Sequence, residues 1–340
     1  MTSHQGEPAQ FGIVGIGNAI VDVLAHADES FIEAHGLTKG SMTLIDEAAA
    51  DAIYRQMGPA IEVSGGSCAN TIAAAASLGT RVAYVGKVAD DQLGKIFRHD
   101  LTSAGVHFET PPSSAGPSTA RCLVLVTPDA QRTMATYLGA CVELGPEDID
   151  TELVAAAQFV YLEGYLWDQP RAKQALREAI AAAHGAGRKV AMTLSDPYCV
   201  ARHRDEFRGL VAGPIDVLFA NQIEAEALLE VTDVWEAVEL LQGQCEVVVI
   251  TRGDQGSLVV TADAVHEVAP VRVAEVIDST GAGDLFSAGF LFGLAQGWEL
   301  VHCARAGAAA AAEVISHFGA RPESDLGALV RIAIREEVSE

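Results

Sequence analysis

Short apolar runs bounded by glycine and polar residues recur along the first part of the chain and predict β-strands. The first run covers residues 11–17 and leads directly to Asn18. Residues 40–45 and 121–126 have the aliphatic and β-branched content of strands. Small residues over 70–78, followed by Gly79, predict a helix. We therefore expect residues 22–144 to combine short strands, turns and two helices, with a surface connection at 110–117.

From about residue 145 the pattern changes to a regular alternation of apolar runs and helical segments. Its predicted strands cover 159–162, 190–194, 217–220, 246–251 and 257–260, with a further strand ending near Ile277. Its predicted helices cover 171–184, 224–230, 283–294 and 300–316. Such alternation indicates βαβ units and a mostly parallel sheet, whose ligands bind where strands end and helices begin.

Length and charge narrow the class of protein. The chain has 340 residues, 49% of them hydrophobic, which suits two domains or one large α/β unit with an insertion. Its formal net charge of −24 argues against nucleic acid and anionic membranes as partners. An anionic small molecule stays compatible with this charge if backbone N–H groups, a few basic side chains or a metal ion neutralise it locally.

The cysteines and the N-terminus indicate a cytoplasmic protein. Six widely spaced cysteines without a CxxC motif predict neither a disulfide framework nor a structural zinc site. Residues 1–10 are polar and do not have the pattern of a signal peptide. The chain also has no apolar run of the length of about 18 residues that a membrane span needs.

The densest chemical signal is a glycine-rich segment between Asp278 and Asp284. The turn Gly281-Ala282-Gly283 at a predicted helix start would gather backbone N–H groups into a site for an anion. Asp284 would then lie beside that site, where it could accept a proton from a hydroxyl group that attacks a bound phosphate. An acidic residue that only stabilises the first helical turn explains Asp284 equally well.

Two further glycine segments carry candidate acceptor-binding residues. Gly65, Gly66 and Ser67 precede Asn70 at the start of the predicted small-residue helix, which could direct Asn70 inward. After the first strand, Asn18 and Asp22 could bind sugar hydroxyls, although two solvated polar residues are an equal alternative. A dinucleotide-binding site for an NAD-dependent dehydrogenase is disfavoured, because Ile20 stands where the third glycine of GxGxxG is required.

Two polar segments follow later strands. Asn221 and Glu224 have the spacing of a helix capping box, and Glu224 could alternatively lie near a hydrated Mg²⁺. Thr251 and Gly253 form a turn that could contact nucleotide phosphates. The chain has no GxxxxGK[ST] motif, which argues against a P-loop ATPase.

Taken together and in this order, the motifs resemble those of the ribokinase superfamily, the pfkB carbohydrate kinases, over about residues 10–325. The resemblance implies a three-layer α/β/α fold with a mostly parallel sheet, here over residues 10–330. It also implies a small β-sheet lid formed by segments near 22–46 and 106–138. Closure of the lid would exclude water from the reaction.

The resemblance also implies roles for the candidate residues. Asp284 would be the base, and Gly281, Ala282 and Gly283 would receive the transferred phosphoryl group. The remaining roles would be acceptor binding by Asn18, Asp22, Gly65, Gly66, Ser67 and Asn70; ATP binding by Thr251 and Gly253; organisation of Mg²⁺ through water by Asn221 and Glu224; and contact with phosphate by Arg132.

Within the superfamily, the motifs around Asp22, Asn70 and Arg132 and the segment Arg305-Ala306-Gly307 resemble adenosine kinases more than ribokinases. We therefore expect ATP- and Mg²⁺-dependent phosphorylation of the adenosine 5′-hydroxyl, with a sugar kinase of ribokinase or fructokinase type as the alternative. A sensor that binds without catalysis is disfavoured by the intact Asp284 motif. The sequence is compatible with activation by K⁺ and with either a monomer or a homodimer.

Overall fold

The computed structural model describes residues 9–129 and 131–335. Over these ranges the chain forms an eight-stranded sheet, with helices on both faces, and a separate five-stranded sheet. This three-layer α/β/α architecture with a second, smaller sheet confirms the predicted fold class. Most of the N-terminal segment 1–10, for which no signal peptide is expected, lies outside the described residues.

The described residues contain thirteen strands: β1 (Phe11–Ile16), β2 (Ile20–His26), β3 (Met42–Leu44), β4 (Ile61–Gly65), β5 (Val82–Val85), β6 (Ala120–Val126), β7 (Arg132–Tyr137), β8 (Ala157–Glu163), β9 (Lys189–Thr193), β10 (Val217–Asn221), β11 (Val247–Thr251), β12 (Ser257–Val260) and β13 (Val265–Val268). They also contain twelve α-helices: α1 (Glu29–Ala34), α2 (Glu47–Gln56), α3 (Ser67–Ser77), α4 (Gln92–Ser103), α5 (Thr151–Ala155), α6 (Pro170–Gly185), α7 (Pro197–Val211), α8 (Gln222–Leu229), α9 (Val234–Leu241), α10 (Ala282–Ala295), α11 (Leu300–Val314) and α12 (Leu326–Arg335).

The large sheet has the order β13-β12-β11-β10-β9-β8-β1-β5, and its six strands from β11 to β5 are parallel. Both faces are covered, so its strands are apolar throughout rather than alternating. In β1, Ile13 packs into one core cluster and its neighbour Val14 into the other, because successive side chains point to opposite faces. The parallel strands therefore all end at one edge, which carries the loops into the following helices.

The small sheet has the order β3-β7-β6-β2-β4 and mixes parallel with antiparallel pairs. On its outer face, Val21 and Leu123 share the main core with Ile32 of α1 and Ile53 of α2. The opposite face carries a separate apolar group, which consists of Ile20, Leu24, Cys122, Val124, Val126 and Met134. We call this group the inner apolar face. The small sheet also includes β4, which lies outside the segments expected to form the lid.

Three local expectations were wrong. Four α-helices rather than two lie between residues 22 and 144, and only α3 corresponds to a helix predicted with bounds. Helix α3 begins at Ser67, three residues before the predicted start. The expected strand ending near Ile277 is a loop in which Val276 and Ile277 are exposed, and its Ile277 amide bonds the Ile315 carbonyl oxygen at the end of α11 rather than a neighbouring strand.

All six cysteines are free thiols. Between residues 9 and 335, apart from residue 130, no helix combines the length and apolar character needed to cross a lipid bilayer.

Candidate active site

The candidate residues of the large sheet lie along the edge at which its parallel strands end. Asn18 follows β1, Asn221 ends β10 and Thr251 ends β11. Asn221 and Thr251 are direct neighbours across the β10–β11 pair. The edge also carries Glu163, the last residue of β8, which sequence analysis did not single out. The topology thus brings residues far apart in the chain to one cleft, as expected for an open parallel sheet.

Asp284 lies in the first turn of α10, and two residues of α3 bind its carboxylate. The Ser67 hydroxyl donates to Asp284 Oδ1 at 2.6 Å, and Asn70 Nδ2 donates to Oδ2 at 3.0 Å. Burial raises the pKa of Asp284, while these two hydrogen bonds and the nearby charge of Arg321 oppose that rise. A carboxylate held in this way can accept a proton from a hydroxyl group placed beside it.

The glycine turn before α10 leaves the start of the helix open. Gly281 has φ +79°, and an added Cβ there would lie 2.8 Å from Ala320 Cβ, so only glycine fits. An added Cβ at Gly283 would meet nothing within 4 Å. Of the three predicted amides, that of Ala282 donates weakly to the Ser279 carbonyl oxygen, at 3.3 Å. The free space above Gly283 lies where the helix N-terminus favours an anion.

A cavity of about 760 Å³ adjoins this turn and has the size of a ligand pocket. Ala282 and Gly283 line it on one side, and Thr251 and Gly253 line it on another. The cavity therefore unites the residues predicted for the phosphoryl group with those predicted for the nucleotide. Arg272, which sequence analysis did not single out, also lines it.

Asp22 lies on the same side of the small sheet as the inner apolar face, and Gly65 leaves room for its carboxyl group. An added Cβ at Gly65 would lie 2.3 Å from Asp22 Oδ2. Gly66, with φ +94°, closely approaches the Asn18 carbonyl oxygen, which would lie 2.3 Å from an added Cβ. Burial raises the pKa of Asp22 to about 7, against the opposing charges of Arg321 and Arg132. The paired glycines are thus explained by the close approach of Asp22 and the Asn18 backbone.

Asn18 binds a buried carboxylate. Its Nδ2 donates to Glu163 Oε1 at 3.0 Å, and the Cys68 amide donates to Glu163 Oε2 at 3.0 Å. Burial raises the pKa of Glu163 to about 7. Gly17 closely approaches Cys68 and Glu163, and Gly15 closely approaches Ile72, so these glycines allow β1 to pack against α3. This packing role accounts for the GxG pattern without a dinucleotide.

Arg132 connects the small sheet to the glycine loop. Its Nη2 lies 2.6 Å from Asp278 Oδ2, and both side chains are at most 10% exposed. Asp278 also accepts hydrogen bonds from the Thr280 and Gly319 amides, at 3.1 and 3.0 Å. The Arg132 guanidinium lies 5.4 Å from the centre of the Phe318 ring. Arg132 is therefore placed at the loop that precedes Asp284.

Glu224 forms the capping box that its spacing predicts. Its two carboxylate oxygens accept from the Asn221 amide and from Asn221 Nδ2, at 2.9 and 2.8 Å. Burial raises its pKa to about 7, and the charges of Asp196 and Asp284 add to that rise. No group of three or more metal-binding side chains occurs in the part of the chain that the structure describes. Carboxylate and amide oxygens such as those of Glu224 and Asn221 are of the chemical type that Mg²⁺ and its bound waters contact in proteins.

Besides Arg272, the residues Glu163 and Arg321 belong to the site and were not predicted from the sequence. Glu163 carries a weak signal, since a carboxylate that ends an apolar strand is unusual unless it has hydrogen-bond partners. Arg321 stands in a loop after α11, and only the folded structure shows that it reaches Ser64 and Ala69. Its position could not be predicted without the packing of that loop against α3.

Comparisons with known proteins agree with this fold. Residues 44–325 match the model of the pfkB family carbohydrate kinases. The crystal structure of adenosine kinase from Sinorhizobium meliloti is 51% identical, with a TM-score of 0.89, and the match covers 96% of this chain and all of that one. A Rhizobium etli structure described as a "probable sugar kinase" is 45% identical, with a TM-score of 0.89, over 96% of this chain and 99% of that one. Adenosine kinase 1 of Arabidopsis thaliana is 28% identical over 90% of this chain and 94% of its own length.

Proposed function

The chain belongs to the pfkB family of carbohydrate kinases, and we propose that it is an adenosine kinase that phosphorylates the 5′-hydroxyl of adenosine. Its family makes it a phosphotransferase that acts on a hydroxyl group, with ATP as the donor and usually Mg²⁺. The observation that carries the proposal is the position of Asp284, whose carboxylate is bound by Ser67 and Asn70 while its neighbour Gly283 lines the large cavity.

In the proposed reaction, the adenosine 5′-hydroxyl lies beside Asp284, which takes its proton as the oxygen attacks the γ-phosphorus of ATP. The bond from that phosphorus to the β,γ-bridging oxygen breaks, so the products are AMP and ADP. The amides of the turn Gly281–Gly283 and the guanidinium of Arg132 offset the negative charge on the transferred group. Ser67 and Asn70 keep the Asp284 carboxylate oriented.

The donor would occupy the 760 Å³ cavity, with its phosphates near Thr251 and Gly253. Asn221 and Glu224 would hold Mg²⁺ through water, and the metal would supply charge neutralisation for the triphosphate. The assignment of Thr251 and Gly253 rests on their lining of this cavity. That of Asn221 and Glu224 rests on their place at the end of β10, where Asn221 is the direct neighbour of Thr251. K⁺ activation stays a prediction.

The inner apolar face favours a nucleoside over a free sugar as the phosphate acceptor. Asp22 shares its side of β2 with Ile20 and Leu24, and its cross-strand neighbour in β6 is Cys122. A carboxylate beside an apolar surface suits a ligand with vicinal hydroxyls and a flat apolar group, which are the ribose and purine of adenosine. A free sugar would leave most of this apolar surface without a partner. The small sheet would then act as the lid over the nucleoside.

Competitive turnover tests the proposal. Purified enzyme is given ATP, Mg²⁺ and equimolar adenosine, ribose and fructose, and the phosphorylated products are separated by mass. We expect AMP as the main product. Phosphorylation of a free sugar without formation of AMP would support the sugar kinase alternative, for which the Rhizobium etli neighbour is the precedent.

A further inference from the structure

Arg321 has no part in the proposed reaction, yet its side chain binds the chain on both sides of the glycine pair Gly65-Gly66. We call residues 64–69 the acceptor loop. Nη1 donates to the Ala69 carbonyl oxygen at 2.8 Å, and Nη2 donates to the Ser64 carbonyl oxygen at 2.8 Å. Nη2 and Nε also contact Ser64 Oγ and the Ser64 carbonyl oxygen, at 3.0 and 3.3 Å. These contacts bracket Gly65, Gly66 and Ser67. The guanidinium therefore binds the backbone just before the glycine pair and just before Asn70.

The two residues before Arg321 contact the other glycine loop of the site. The Gly319 amide donates to Asp278 Oδ2 at 3.0 Å, and Ala320 packs against Gly281. The tripeptide Gly319-Ala320-Arg321 thus touches the loop before α10 and the loop before α3. The first loop leads into α10, which carries Asp284. The second leads into α3, which carries its partners Ser67 and Asn70. A displacement of the tripeptide would change the geometry between base and partners.

The positive charge of Arg321 also acts on several acidic side chains, which include Asp22 and Asp284. Among the described residues, the groups that interact electrostatically with Asp284 are the carboxyl groups of Asp22, Glu163 and Glu224, the Cys68 thiol, the Tyr161 hydroxyl and the Arg321 guanidinium. Those acting on Asp22 are Arg321, Arg132, Asp284 and Cys122. Arg321 is the one positively charged group among these partners of Asp284, and a nearby positive charge favours the ionised form of a carboxyl group.

We propose that Arg321 is a positioning residue of the kinase site: it fixes the acceptor loop against Asp284 and keeps the Asp284 base ionised near neutral pH. The inference rests on the proposed function, because it requires Asp284 to act as the base. Burial lowers the pKa of Arg321 to about 10, which leaves the guanidinium protonated throughout the physiological range. Its charge is therefore constant while the carboxyl groups around it titrate.

The test compares Arg321→Met, Arg321→Lys and the control Arg331→Met, which changes an exposed arginine of α12. For each variant, kcat and kcat/KM for adenosine are measured from pH 5 to 9 at saturating ATP and Mg²⁺. Removal of a positive charge raises the pKa of a neighbouring carboxyl group. The acidic limb of the Arg321→Met profile should thus move upward by about one pH unit, the lower end of the effect of a nearby opposite charge. Its kcat/KM at pH 7 should fall at least ~10-fold.

Arg321→Lys separates charge from geometry. Lysine keeps the positive charge but lacks the fork that binds Ser64 and Ala69 together. We expect an acidic limb close to that of the wild type and a kcat lowered by about 10-fold, since small misplacements of reacting groups are costly. Arg331→Met should match the wild type in both measures.

The contradicting outcomes are distinct. If the wild type phosphorylates adenosine and folded Arg321→Met keeps the wild-type acidic limb, the charge role is wrong and the proposed function stands. If Arg321→Met does not fold, Arg321→Lys decides: wild-type kcat at every pH would overturn the positioning role, and a lowered kcat with an unshifted limb would support it. A folded wild type that does not phosphorylate adenosine at any pH would contradict both this inference and the proposed function.

Discussion

The carboxylate of Asp284 is held by one hydroxyl and one amide, and neither donor can replace it as a proton acceptor. Asp284→Asn keeps the size of the side chain and removes the base. We expect kcat to fall by about 10²-fold or more, which is the usual effect of losing a positioned base. Binding of ATP, measured by titration calorimetry, should be largely kept, because the large cavity is lined by Gly283 and not by Asp284. Unchanged turnover would contradict the assignment.

Gly65 is required by the position of Asp22. In Gly65→Ala the new methyl group would lie 2.3 Å from Asp22 Oδ2, so the carboxylate must move. A hydrogen bond to a charged group is worth about 1.5–3 kcal/mol, so we expect the KM for adenosine to rise ~10-fold or more.

The matched control is Gly58→Ala, where an added Cβ meets nothing within 4 Å. It should leave the KM for adenosine unchanged. An unaltered KM in Gly65→Ala, with Asp22 still required for activity, would show that the carboxylate binds the acceptor from a different position.

The site residues that could be predicted from the sequence belong to local motifs, whereas those that could not are defined by contacts with distant parts of the chain. The segment ending in Asp284 and the glycine pair Gly65-Gly66 could be recognised, because turns and helix starts need particular residues nearby. Glu163 and Arg321 could not, because their partners Cys68 and Ala69 lie 95 and 252 residues away. Asn18 was recognised as a candidate, but its partner Glu163, 145 residues away, was not.

The small sheet interacts with the glycine loop through Arg132 of β7. Loss of its ion pair with Asp278 in Arg132→Met would free the loop before α10 and remove a charge near the phosphoryl group. We expect kcat to fall at least ~10-fold and the KM for ATP to rise, as measured by steady-state kinetics, since orientation and charge stabilisation are both reduced.

Arg121→Met is the control within the same sheet. Arg121 lies in β6 and pairs with Asp51 of α2, on the side of the sheet away from the inner apolar face. Its loss should lower the melting temperature and leave kcat nearly unchanged. Equal losses of kcat in the two variants would mean that Arg132 acts only through the stability of the small sheet.

Among the elements of the later half, strands β8 to β12 and helices α6, α8, α10 and α11 were predicted, because alternating apolar runs and helical segments report βαβ units directly. Strand β13 and helices α5, α7, α9 and α12 were not predicted. The first half was harder, since β2, β4 and β7 belong to a sheet whose pairs join distant segments, as with Ile20 and Ala120. The strand expected to end near Ile277 was wrong for a related reason. Its apolar residues face solvent and the end of α11, and none of the strands that the structure describes pairs with them.

The whole molecule combines a net charge of −24 with several carboxyl groups buried at one edge of the sheet. Composition alone could indicate the excess of acid, but not its concentration around Asp284, which depends on how the strands end together. Burial raises the pKa of Asp22, Glu163 and Glu224 to about 7, so the folded protein holds protons there that the unfolded chain has released. Stability then falls as pH rises through the interval between the unfolded and folded pKa values.

This sign predicts the pH dependence of the ligand-free protein. The melting temperature should fall from pH 5 to pH 8, because the three carboxyl groups must ionise in the fold. Repulsion among the exposed acidic side chains would give the same direction, but salt screens exposed charges much more than buried ones. The decline should therefore persist in 0.5 M NaCl, measured by calorimetry, and should be shallower in Glu163→Gln. A melting temperature that is flat or rises over this interval at high salt would mean that these carboxyl groups are ionised at little cost, and that the site does not need a cation to balance them.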